Sequence, residues 1–418
     1  MRGKINKVEL MSPAGDMVCL NAAIKGGANA VYLGLKGSNM RAGAKNFSLG
    51  ELKQACKICA KNNVKTYLTI NTIYYENELA ALKKTIENAA KAGVNAFIAW
   101  DNAVLGILKE MGLRAFLSTQ ASVSNSQAIL QYYKNFGIKR FVLARECTLE
   151  HIKAIRRNLK KALGQSADEI SIEVFAHGAM CVSVSGRCFL SEFMCGKSAN
   201  RGECLQPCRR LYKISDTSPS GIEYELGNNY VLSPKDLCTL PFLDLLLDAK
   251  VNSLKIEGRN RNAEFVYETT HAYRTVIDAY YAKMPKAEFE ALKKAQTANL
   301  QNVFNRGFSE GFFMGVPLKD WHSNCSGNKS KQKKQALGRI TNFFGKISVA
   351  EIQLNSGNLK RGQLLQVEGE KTGFVRFAAN SMQIDLKDVD FAKKGQKVAV
   401  KCPHKLRRGD NVYTFTTA

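Results

Sequence analysis

The stretch AVYLGLKGSNMRAGAKNFSLGELKQACKICAKNNVKTYLTI, residues 30–70, reads as strand, helix, strand. AVYLGL (30–35) and KTYLTI (65–70) are short runs of β-branched, aromatic and aliphatic residues. The segment 48–61 between them is amphipathic, with Ser48 placed to cap its first turn. The same rhythm continues outward. Further strands are expected at VELM (8–11), AFIAW (96–100), RAFLST (114–119), RFVLA (140–144), SIEVFA (171–176) and SLKIE (253–257). Helices are expected over 16–25, 76–92 and 124–135, and glycine stop signals follow in KAGV, EMGL and NFGI. Eight strands with helices between them predict an α/β fold, a closed (β/α)8 TIM-like barrel; an open doubly wound sheet is the alternative.

The main break in the rhythm, residues 177–250, follows the seventh strand, which places it at the C-terminal mouth where such barrels carry their chemistry. A helix over 263–282 follows the eighth strand. The Ser-, Asn- and Lys-rich segment 323–335 then reads as an exposed basic linker. From 336 to 418 short strands alternate with turn signals, predicting a small all-β barrel domain behind a catalytic domain of residues 1–322.

Lys and Arg total 61 against 36 Asp and Glu, a net charge of +25. Such an excess favours a polyanionic partner. The N-terminal segment lacks the apolar core of a signal peptide, and no charge-free apolar run reaches the ~18–20 residues that span a bilayer. The chain is therefore expected in the cytoplasm, away from membranes, where thiols stay reduced.

That compartment gives the twelve cysteines their meaning. Five of them, Cys181, Cys188, Cys195, Cys204 and Cys208, crowd the segment CVSVSGRCFLSEFMCGKSANRGECLQPC, and Cys238 follows in SPKDLC. Irregular spacing with interleaved glycines suits thiolates that converge from loops on an iron–sulfur cluster. Tetrahedral zinc is the near competitor, but paired CxxC knuckles are absent. Cys56 and Cys59 form a lone CxxC on an expected helix and read as packing residues. There is no HExxH, no GxSxG and no phosphate loop, since CGKS (195–198) lacks its upstream glycine. A Cys181/His177 dyad is the one hydrolytic pair the sequence offers.

The peptide EVFAHGAMCVSVSGRCFLS (173–191), with SPAGD (12–16), STQAS (118–122), SPKDLC (233–238), KIEGR (255–259) and NRGF (305–308), resembles the collagenase-like peptidase family. The resemblance covers nearly the whole chain. It implies an oxygen-independent hydroxylase rather than a protease, and it is most similar to the branch that hydroxylates C5 of the tRNA wobble uridine. A related branch acts on ribosomal RNA. What the resemblance implies for cofactors is a 4Fe-4S cluster, with prephenate as hydroxyl donor, and tRNA as partner. Cluster ligands carry over to Cys181, Cys188 and Cys204, with Cys208 or Cys238 as the fourth.

Polar residues at the expected strand ends fit a substrate pocket. His177 and Glu173 are candidate acid–base groups, the latter also a candidate buried partner. Arg41, Arg145, Lys255 and Arg259 suit the carboxylates of a small acid or RNA phosphates. Glu257 and Glu146 can pair with those arginines, while Asn71, Gln120 and Ser122 occupy positions a barrel mouth uses. Linker and β-domain cations, among them Lys329, Lys331, Lys333, Lys334, Arg407 and Arg408, can follow a phosphate backbone. Phe343, Phe344, Phe374 and Phe377 are either base-stacking or core residues.

Overall fold

The computed structural model describes residues 7–37, 39–41, 43–213, 230–317, 321–323, 325 and 327–417, so residues 214–229 of the expected insertion lie outside it. Its centre is a closed barrel of eight parallel strands: β1 (Glu9–Pro13), β2 (Ala30–Gly34), β3 (Lys65–Thr69), β4 (Ala96–Ala99), β5 (Ala115–Leu117), β6 (Arg140–Val142), β7 (Ser171–Ala179) and, after a further short strand β8 (Asp236–Cys238), β9 (Ser253–Ile256). Each strand pairs with its predecessor from β2 to β7, and β9 pairs with both β7 and β1 to close the ring. Every expected strand is present, as are the helices. Ser48 caps Leu49–Lys61 through a reciprocal capping box with Glu51, and Asp16 caps Met17–Lys25 through the backbone N–H of Cys19.

The apolar core lies between the strands and the outer helices. Inside the barrel the filling is partly ionic. At the N-terminal end, Arg140 donates to Glu9 at 2.6 Å and to Glu173 at 2.8 Å, and Lys255 donates to the same Glu173 at 3.3 Å. Glu173 is wholly buried. Its carboxylate is fully occupied in joining three strands, which corrects the expectation of a catalytic acid or base there.

Strand β8 has no counterpart in the sequence reading. It runs antiparallel to the end of β7, pairing Cys238 with His177, and β10 (Phe308–Ser309) pairs with it in turn. At this end β7 carries a register shift between Phe175 and His177. Phe175 faces the barrel interior beneath Arg145, whereas His177 turns outward against Phe265, Tyr273 and Phe308.

The C-terminal domain is all-β, an eight-stranded antiparallel sheet around its own core. Its first strand, Gln332–Phe344, begins inside the segment expected to be a linker, because residues 332–339 pair with 411–417. Lys334 is accordingly bound to Glu368 at 2.8 Å, not free for a ligand. Ahead of this strand Lys329 and Lys331 donate backbone hydrogen bonds to Asn305 and Gln301, which pins the connection to the barrel. Strand Gly373–Ala378 lies on the barrel. Phe374 stacks on Tyr267 at 4.5 Å, Arg376 reaches Glu264 and Glu268 at 3.0 and 2.7 Å, and Lys25 donates to the carbonyl oxygens of Thr372 and Phe374. Phe374 and Phe377 are thus packing residues. No helix among the described residues is long and apolar enough to cross a membrane.

Candidate active site

Two adjoining spaces with shared walls occupy the C-terminal mouth. The outer pocket, about 370 Å³, is walled by the cysteine-rich segment and contains Cys181, Cys188, Cys204 and Cys208. The inner chamber, about 40 Å³, is lined by strand ends and contains Arg41, Asn71, Gln120, Arg145, Lys255, Glu257 and Arg259. Met40, Arg41, Gln120 and Arg145 line both.

The insertion is fastened over the mouth by polar contacts to several barrel loops. Glu146 accepts from the backbone N–H and the hydroxyl of Ser185 at 2.8 and 2.9 Å. Arg201 donates a two-pronged pair to Glu78 at 2.7 and 2.8 Å and reaches the carbonyl of Ile73. Buried Arg209, beside Cys208, holds the carbonyls of Met180 and Pro234 and the Ser233 hydroxyl. Arg187 donates to Ser122 at 2.9 Å, so Ser122 secures the insertion and lines neither space. Glu146 therefore pairs with a serine and not with an arginine.

The chamber carries more positive than negative charge. Glu257 accepts from Arg41 at 3.3 Å. Arg259 donates to Asn39 and Thr69, both at 2.7 Å, and Arg145 to the carbonyl of Ala179 at 3.2 Å; among the described residues neither guanidinium has a carboxylate partner. The Arg145 Nε is buried without a hydrogen bond. Burial pushes Arg145 down, and Arg259 down to about 10. Burial alone would raise Glu257, but Arg41, Arg261, Arg145 and Arg259 outweigh it and hold the carboxyl below its usual range. Uncompensated buried cations are costly, and a site that keeps them is set up for an anion.

Glycines allow the chain to close this tightly around the KIEGR turn. A Cβ on Gly15 would stand 2.2 Å from the carbonyl oxygen of Arg259, and one on Gly178, whose φ is +109°, would stand 2.5 Å from that of Glu257. The SPAGD and FAHGAM peptides are therefore packing surfaces for the loop that carries Glu257 and Arg259.

Besides Ser122 and Glu173, two further sequence candidates fall outside both spaces. His177 sits in its aromatic cage with Nδ1 unbonded, and burial together with nearby Arg261 lowers it to about 3. It is a neutral packing residue, and the register shift in β7 is what turns it away from Cys181. Cys238, buried in β8, faces Tyr273, and burial pushes its thiol up to about 12. Cys195 does not line the outer pocket either. Sequence reasoning missed Tyr32, Thr69 and Asn39, which line the chamber or position Arg259. Strand parity was the available signal for the first two.

Four thiols around one pocket form a soft donor set. Burial raises Cys204, and raises Cys208 to about 11, with the neighbouring thiols of the set adding to both shifts. Among the described residues no three His, Cys, Asp or Glu side chains converge on a single ion-sized point.

Residues 15–323 match the model of Peptidase family U32. The chain belongs to peptidase family U32. Over 415 residues this U32 chain is 44% identical to an uncharacterized protease of Methanocaldococcus jannaschii, covering 97% of this chain and 98% of the relative. It is 37% identical over 414 residues to a collagenase of Porphyromonas gingivalis, covering 98% of each. A third U32 relative, the tRNA hydroxylation protein P1 of Bacillus subtilis, is 32% identical over 316 residues, 74% of this chain and 72% of that protein.

Proposed function

We propose that this U32 chain is an RNA-modifying enzyme that hydroxylates a pyrimidine without molecular oxygen, its substrate being C5 of the tRNA wobble uridine and its hydroxyl source a small carboxylic acid such as prephenate. The observation that carries this reading is the joining of the thiol-walled pocket to the cation-rich chamber through Arg41, Gln120 and Arg145. The similarity to a tRNA hydroxylation protein supports the same conclusion.

Cys181, Cys188, Cys204 and Cys208 would hold the iron–sulfur cluster. Four thiols lining one pocket are a donor set of the kind an iron–sulfur cluster takes. When bound, such a cluster supplies redox or Lewis-acid chemistry at the entrance of the chamber. Beyond it, Arg145 and Arg259, without a carboxylate partner among the described residues, present guanidinium groups to a carboxylate. Room in the chamber is limited to a group of about that size, so the body of the acid lies in the outer pocket beside the base. Phe175 beneath Arg145 excludes water from one face of that guanidinium.

RNA has a path to this mouth. Gly43 and Asn260 line both the outer pocket and a groove of about 980 Å³ between the barrel and the β domain. Exposed Lys371, Arg407 and Arg408 stand along that groove; Lys45 there is paired with Asp16 at 2.9 Å, and Glu368, Glu370 and Asp410 also line it. Cations so placed follow a phosphate backbone while the target base is swung into the pocket.

The protease and collagenase names of two relatives suggest hydrolysis, but the Cys181/His177 pair that the sequence offers for it does not form. His177 is caged and neutral, and the Cys181 thiol contacts Ser183. The deciding experiment is nucleoside mass spectrometry of tRNA from cells lacking this gene. Loss of the 5-hydroxyuridine-derived nucleoside, restored by the intact gene, is expected; unchanged tRNA would sink the reading.

A further inference from the structure

Several large apolar side chains among the described residues of the cysteine-rich insertion are exposed. Val184, Phe189, Phe193, Met194, Leu205 and Leu211 are between 48% and 83% accessible, although they fall within one short segment. Phe193 is the most exposed aromatic among them, at 83%. Phe189 and Phe193 lie four residues apart at the start and within the helix Leu190–Cys195, on one face, with ring centroids 5.8 Å apart and planes inclined by 29°. Gly196, at φ +63°, ends the helix just beyond them. Tyr212 borders the patch, its hydroxyl meeting the Met194 sulfur at 3.5 Å and donating to the Pro207 carbonyl at 2.7 Å.

This patch forms the lip of the outer pocket. Cys188 and Leu190, on either side of Phe189, both line the pocket, as does Leu205. Exposed cations accompany the rings: Arg187, Lys197, Arg210 and Lys213. Against them stand Glu192, which accepts from Ser198, and Glu203, which is paired with Lys197 at 3.6 Å. Exposed aromatic faces in a segment that also carries exposed guanidinium and ammonium groups match unpaired nucleotides, whose bases stack while their phosphates are neutralised. A purely apolar protein surface has no use for that surplus of charge.

We propose that Phe189 and Phe193 form a stacking platform for unpaired RNA bases next to the nucleotide that enters the pocket. The inference rests on the RNA reading above and adds to it the single-strandedness of the substrate at this point. In a loop the nucleotides flanking the target are already partly unstacked, and the platform replaces the stacking they lose when the target leaves the loop.

The test is fluorescence anisotropy on the intact, anaerobically purified chain, with a fluorescein-labelled oligouridine and an RNA duplex of equal length. The wild type should prefer the single strand. Phe193→Ala should weaken that binding roughly tenfold, with thermal melting unchanged because the ring is exposed. Phe193→Trp should restore affinity, whereas Phe193→Leu should not. Equal binding by Phe193→Leu and the wild type would overturn the platform in favour of generic apolar docking. So would an unaltered Phe193→Ala, or a protein complex lost in Phe193→Ala while RNA affinity holds. A wild type that binds neither RNA defeats the RNA reading itself, a result distinct from a binding-competent wild type with indifferent variants.

Discussion

Arg41 and Glu257 meet at 3.3 Å at the boundary of the two spaces, the arginine lining both and the glutamate only the inner one. Burial works against the charged form of Arg41, but Glu257, with the Cys181 thiol behind it, prevails and holds its pKa above the ordinary value. Removing either charge shifts the balance of the chamber, and the two removals should act in opposite directions on an anionic ligand.

Calorimetric titration with prephenate should show the same opposition between Glu257 and Arg145, which also lines both spaces. Arg145→Met is expected to weaken binding by at least about tenfold, the usual cost of losing a charged hydrogen-bond donor. Glu257→Gln, which removes the chamber's own counter-charge, is expected to leave affinity equal or higher. Weaker binding in both would mean that the acid does not occupy this chamber.

The four pocket thiols are separable from the others by iron and sulfide analysis after anaerobic purification. Serine at Cys181, Cys188, Cys204 or Cys208 should strip both elements and the visible colour. Cys195→Ser and Cys238→Ser should keep them, since these residues lie outside the pocket. Retained iron in Cys208→Ser with loss in Cys238→Ser would transfer the fourth ligand to β8.

His177 gives a pH prediction with a definite sign. Its folded-state value, about 3, lies below the ordinary 6.5, so below pH 6.5 the unfolded chain takes up a proton that the folded chain refuses. The associated stability is complete above pH 6.5 and is lost as pH falls toward about 3, on the order of 5 kcal/mol over the full window. Denaturant melts of His177→Phe should show a flatter decline across that window, with turnover retained at neutral pH. An inactive but folded His177→Phe would restore the acid–base role.

Arg140 and Lys139 are neighbours in sequence with opposite prospects. Arg140 is buried between Glu9 and Glu173, whereas Lys139 pairs with Glu169 in the open. Arg140→Met strands the Glu173 carboxylate, with only Lys255 left to it, and should cost about 3–5 kcal/mol. Lys139→Met should leave the unfolding midpoint nearly unchanged. Urea unfolding of the two variants makes the comparison.

The barrel was legible because each strand–helix unit carries its own local signals: Ser48 before its helix, Gly93 and Gly137 after theirs, and aliphatic runs of strand length between. The clustering of Cys181, Cys188, Cys204 and Cys208 at the mouth followed from the position of the insertion after β7. Two features were hidden for a physical reason. Strand parity places Glu173, Phe175 and His177 on one face, but the register shift in β7 turns His177 to the other, and a local shift of this kind has no composition signature. Strand β8 is only Asp236–Cys238 and pairs with β7 across a long insertion, so no short-range pattern announces it. The lysines at 333 and 334 were read as linker because their composition is polar, yet an edge-to-edge ladder with residues 416 and 415 fixes them as strand.

The clasp of Tyr267 on Phe374, reinforced by Arg376 on Glu264 and Glu268, gives the molecule the property of a caliper. With one jaw at the β domain and the other at the mouth, the opening between them is set by covalent scaffold and packed rings, not by a tether of adjustable length. On the RNA reading proposed above, oligonucleotides too short to touch both jaws would forfeit one grip, and recognition would discriminate by the physical reach of the folded RNA as well as by the identity of the base presented.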